Sequence, residues 1–106
     1  MTEEAKESEK KTEKDDNVIF IGGKPFMNYI TGVVMQFTTR GTSEVVIKAR
    51  GKFISRAVDV AEVARRRFLE DQVFVKEIKI GSEGFKNNEG RDVTVSNIEI
   101  TLTKKA

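Results

Sequence analysis

The chain has no cysteine and no histidine, which removes disulfides, thiolate metal sites and imidazole bases from its repertoire. Tryptophan is absent too, and tyrosine and proline occur once each. No stretch approaches the roughly 18 consecutive apolar residues of a membrane helix. The opening residues 1–4 (MTEE) carry neither the basic nor the apolar region of a secretory signal, so the expected location is the cytoplasm, without a membrane partner. Most nucleophilic, acid–base and redox chemistry is thereby excluded; no catalytic residue, cofactor or metal is expected. What remains is 106 residues, 38% hydrophobic and 34% charged, the profile of one small domain. High charge with a single proline also fits a heat-adapted host.

The charge is unevenly spread. Residues 1–16 hold four lysines against seven acids and almost nothing apolar, so they read as a disordered acidic tail. Setting them apart raises the net charge from +2 for the whole chain to +5 for residues 17–106, the expected folded domain. Residues 17–21 (NVIFI), closed by Gly22 and Gly23, predict a strand buried on both faces. Pro25 suits a first helical position, Phe26, Ile30, Val33, Val34 and Phe37 recur at helical spacing, and Gly41 predicts the stop. Residues 44–50 (EVVIKAR) predict a second strand. Ile54, Ala57, Val58, Ala61, Ala64 and Phe68 then form the apolar face of a second helix, on which Glu62 lies within reach of Arg65 and Arg66. The remainder alternates with period two, Ile78 and Ile80 before a turn at residues 88–90, and Ile98, Ile100 and Leu102 after it. The predicted fold is an α/β (α+β) sandwich of order βαβαββ: a mixed four-stranded sheet, two helices on one face, and a protruding hairpin of the last two strands.

Three places gather basic residues away from the core. The turn at Gly22, Gly23 and Lys24 leaves room for a phosphate at a helix start. Lys48, Arg50, Lys52 and Arg56 put four cations within nine residues uninterrupted by an acid. Lys86 and Arg91 flank the hairpin tip, where a basic β-arm can enter a groove. The run at Arg65, Arg66 and Arg67 is less telling, because Asp59 and Glu62 are within helical reach and two of the three arginines are assigned to structure.

Residues 21–29 (IGGKPFMNY), 46–52 (VIKARGK), 54–59 (ISRAVD) and 98–100 (IEI) resemble, in order and interval, the Alba (Sac10b) family of archaeal chromatin proteins. The resemblance covers residues 17–105. It implies a homodimer that coats double-stranded DNA with little sequence preference, its body over the backbone and its hairpins toward neighbouring minor grooves. RNA binding also occurs in the family, and side-by-side dimer association or pairing with a paralogue is implied as well. By position, Lys24 matches the family's loop lysine, Lys48, Arg50 and Lys52 its basic strand-end residues, Lys86 and Arg91 its hairpin contacts, and Phe68 an aromatic used between dimers. Many members carry a lysine where this chain has Gly23, so acetylation at that place is not open to it and its loop should bind more weakly.

Other readings of the same residues compete. The basic surface would also serve RNA, as a chaperone or ribonucleoprotein subunit. Most of the few aromatics fall at predicted core positions, which speaks against a stacking platform for single strands. Asp59 and Glu62 could hold a metal for nuclease chemistry, but their arginine-rich surroundings favour ion pairing.

Overall fold

In the computed structural model, residues 17–106 are described; the expected acidic tail lies outside them. Alternation of apolar and polar residues builds the sheet. β1 (Val18–Phe20) pairs in parallel with β2 (Glu44–Arg50), and β2 pairs antiparallel with β4 (Asp92–Lys104), whose other edge carries β3 (Val73–Lys86). The spatial order is therefore β1-β2-β4-β3. Helix α1 (Phe26–Thr38) crosses from β1 to β2, and helix α2 (Ile54–Val63) follows β2 after one tight turn at Gly51–Phe53. Among the described residues no helix is long and apolar enough to cross a membrane.

Both helices pack on one face. From the sheet, Val45, Ile47, Ala49, Ile98, Ile100 and Leu102 point into the core, and from α1 come Tyr29, Ile30, Val33 and Phe37. Alanines at 57, 61 and 64 let α2 approach the sheet closely. Gly41, with φ +70°, adopts the left-handed conformation that turns the chain after α1, so that Thr42 N–H donates to the Gln36 carbonyl at 2.9 Å. At the far end of the sheet Lys76 Nζ donates to Glu44 Oε2 at 2.7 Å. That hydrogen bond holds the Glu44 carboxyl below its usual range and ties β3 to β2 across β4.

Three expectations are corrected. The first strand is covered on one face only: Ile21 is buried, but Phe20 is 69% exposed on the side without helices. Val58 lies at the rim of α2 rather than in the core. Phe68, placed by regular helical spacing four residues after Ala64, is displaced because the last turn (Ala64–Phe68) widens. Leu69 N–H donates to the Ala64 carbonyl five residues back, at 2.9 Å, and this extra residue carries Leu69 into the core position while Phe68 swings out, 48% exposed.

Leu69→Ala should therefore cost about 2–5 kcal/mol of stability by leaving a cavity, and Phe68→Ala under about 1 kcal/mol. Urea unfolding of the two variants checks this; equal losses would return Phe68 to the core.

Candidate nucleic-acid interface

Because β1 and β2 run parallel, the connections that follow them, residues 22–25 and 51–53, emerge at the same end of the sheet. That end is also where the hairpin leaves the body. Arg50, the last residue of β2, stands opposite Asn97, so residues 92–96 of β4 pair with β3 alone and run beyond the sheet for about 17 Å at ~3.4 Å per residue. Lys24, Arg50, Lys52 and the arm bearing Lys86 and Arg91 are thus brought to one end by topology. Lys104, Lys105 and Lys76 fall at the other.

The loop after β1 is shaped by the single tyrosine. Tyr29 Oη accepts from the Gly22 N–H at 2.9 Å and from the Lys24 N–H at 3.0 Å, so two amides that could have met a phosphate are already bonded. Arg56 Nη1 donates to the Gly22 carbonyl at 3.1 Å, and its guanidinium lies 5.8 Å from the Tyr29 ring and 6.0 Å from the Phe26 ring. This half-buried arginine clamps α2 to the loop instead of standing out beside Lys52. Nothing lies within 4 Å of where a Cβ at Gly23 would stand, so the backbone there has room for a side chain to begin.

Lys48 and Arg50 lie on the open face of the sheet, alternating with Ile47 and Ala49 beneath. The stretch without acids in sequence acquires them in space. Glu99 on β4 comes within 3.7 Å of Lys48, and Glu83 on β3 within 3.8 Å of Arg50. Asn97 Nδ2 donates to Glu83 at 3.0 Å. Its amide lies across Gly81, where any side chain would start 3.2 Å from Asn97 Oδ1. Together with Phe20 and Phe53 these residues line a cleft of about 520 Å³. Lys52, 5.4 Å from the Phe53 ring, and Lys24 have no carboxylate within 4 Å among the described residues.

At the arm's tip Asn87 organises the turn, its Oδ1 accepting from the Glu89 and Arg91 N–H groups, while Gly90 takes φ +80°. Lys86 bonds Asp92 at 2.9 Å and Arg91 approaches Glu89 at 4.0 Å. All four side chains are exposed, and such pairs contribute about 0–1 kcal/mol, so an incoming phosphate displaces them readily. On α2, Glu62 receives Arg65 and Arg66, each at 2.7 Å. The Arg66 bond first, and then Arg65, holds its carboxyl below the usual range. Glu62 therefore serves as predicted, toward ion pairing with two of the three consecutive arginines, whereas Asp59 has no cation within 4 Å among the described residues.

Sequence reasoning missed Tyr29, Phe20, Glu83, Asn97 and Glu99. Phe20 was within reach, since Ile19 and Ile21 alternate with it. Glu83 and Glu99 were not, because their proximity to Arg50 and Lys48 depends on strand register.

The family model Alba matches residues 17–82. The chain is 49% identical over 90 residues to the DNA/RNA-binding protein Alba of Picrophilus torridus, covering 85% of this chain and 98% of that one. To the DNA/RNA-binding protein Alba of Methanococcus maripaludis it is 45% identical over 89 residues, covering 84% and 99%. The structure of Alba from Thermoplasma volcanium superposes with a TM-score of 0.75 at 47% identity, over 82% of this chain and 99% of that one. The crystal structure of ALBA1 from Trypanosoma brucei gives 0.66 at 26% identity, over 84% and 69%. With the family model matched over most of the described residues, 49% identity to one relative over 85% of the chain and a shared fold, this chain belongs to the Alba family, a family of nucleic-acid-binding proteins.

Proposed function

We propose that the chain coats double-stranded DNA as a homodimer, without sequence preference, by neutralising backbone phosphates. The observation that carries this reading is the convergence of Lys24, Arg50, Lys52 and the hairpin cations Lys86 and Arg91 at one end of the sheet. Lys48 supports them from the open face, and Arg56 holds the Lys24 loop in place. Exposed amines and guanidinium groups suit any phosphate chain, whatever its base sequence. The basic arm, reaching about 17 Å past the body at ~3.4 Å per residue, suits an adjacent groove. The relatives' names extend to RNA as well as DNA, and A-form backbones would meet the same cations. A chain working in this way would sit on the chromosome, within the cytoplasm.

The second protomer has a surface to occupy. Ile78 and Ile80 face the same side as Ile100 and Ile98, their partners on β4. The helices bury the latter pair but stop short of β3, leaving Ile78 and Ile80 58% and 81% exposed. An apolar strip of this kind on a charged protein marks an interface. Phe68, turned outward at the end of α2, is assigned to contact between neighbouring dimers.

Two measurements test this reading. If a dimer neutralises about six phosphates, log affinity for duplex DNA should fall with log salt at a slope near about −5; Arg50→Ala or Lys52→Ala should flatten it by roughly one unit, and Gly23→Lys should steepen it. Titrations in a salt series decide this, and a slope near zero or a strong preference for one duplex would contradict it. Ile80→Lys should give a folded monomer by light scattering; an intact dimer would move the interface elsewhere.

A further inference from the structure

Phe20 is an exposed aromatic on the one sheet face that the helices leave open, and its surroundings differ from a phosphate-binding patch. It stands beside Lys48 in the β1–β2 register, with the Lys48 ammonium 5.8 Å from its ring centroid, at the outer limit of a cation–π contact. The cleft in front of it has carboxylates as well as cations: Glu99 beside Lys48, Glu83 beside Arg50, and the Asn97 amide bonded to Glu83. A surface made only to hold phosphates gains nothing from two carboxylates, which repel them. An unpaired nucleobase presents a different demand. It offers a π-face to stack, and an edge with both donors and acceptors, for which a carboxylate, an amide and a cation are the matching groups. The volume of about 520 Å³ lies within the range of sites that take small molecules, roughly 300–1,000 Å³.

We infer that the cleft in front of Phe20 is a subsite for an unpaired base of a single-stranded nucleic acid, stacked on the Phe20 ring, with its edge toward Glu83 and Asn97 and its phosphate toward Lys48 and Arg50. Bases inside a duplex cannot reach it, since their faces are taken by their neighbours. The apolar strip assigned to the second protomer is on the opposite face of the sheet, so dimer formation through Ile78 and Ile80 leaves Phe20 open. The expectation that most aromatics are core residues, which spoke against stacking, does not hold for this one, which is 69% exposed.

The inference rests on the nucleic-acid-binding reading above, and the test separates the two. Fluorescence anisotropy would compare the intact chain with Phe20→Leu, which keeps apolar bulk without a ring, and Phe20→Trp, which keeps a ring. The probes are a short oligouridylate, its deoxy counterpart, a chain of equal length and charge made of abasic sugars, and a short duplex. The intact protein should bind either base-bearing strand about ten-fold more tightly than the abasic one, as expected from one stacked base. Phe20→Leu should abolish that preference in both sugars while leaving duplex affinity and melting temperature unchanged. Phe20→Trp should retain it, and its indole, the only one in the chain, should be quenched by the base-bearing strands and not by the abasic one. Duplex binding by the intact protein with no preference for bases, or a preference that survives Phe20→Leu, overturns the subsite alone. So does a Phe20→Leu loss that falls equally on duplex and single strand. Failure of the intact protein to bind any of the probes overturns the parent reading as well.

Discussion

The register between β2 and β4 sets Ala49 opposite Ile98 and Arg50 opposite Asn97, and most of what the molecule can do follows from that alignment. It places Ile47 and Ile100 side by side under the helices, where their burial repays the ordering of the strands. It also fixes how much of β4 is left over. The residues beyond Asn97 have no partner in β2, and with β3 they become the arm. A shift of one residue would turn every core side chain of β4 toward solvent, so packing of the core and position of the arm are specified together. The same alignment brings Glu99 to Lys48 and, through β3, Glu83 to Arg50.

The basic end of the sheet is therefore less bare than its sequence. Lys48, Arg50, Lys86 and Arg91 each have a carboxylate nearby, in exposed pairs that are weak in water and weaker in salt. Such pairs keep the cations oriented without committing them. Arg56 differs: it is half-buried against two rings and bonded to a backbone carbonyl, and its charge supports the loop that presents Lys24.

Much of the fold was legible because period and punctuation agreed. Residues 44–50 predicted β2 to the residue, and the order βαβαββ followed from apolar spacing with Gly22, Gly41 and Gly90 between elements. Local rules failed where the outcome depended on distant surface. Phe20 and Ile80 look like core residues by neighbourhood, yet the helices cover only one face and stop at β4. Phe68 falls on the apolar helical face by spacing alone but turns outward, as the resemblance implied, since one bond from Leu69 to Ala64 adds a residue to the helical repeat. Of the candidate site, the cations were proposed from composition and from resemblance; their acidic neighbours and the loop-shaping hydroxyl of Tyr29 required the third dimension.

The proposed binding mode requires that the end of the sheet bearing Lys24, Arg50 and Lys52 meets the nucleic acid. Mass-spectrometric footprinting of lysine amines, with and without saturating duplex, measures that directly. Lys24, Lys48, Lys52 and Lys86 should lose reactivity on binding, while Lys76, Lys104 and Lys105, at the opposite end, should keep it. Protection of the latter three with the former left reactive would contradict this and place the interface at the opposite end of the sheet.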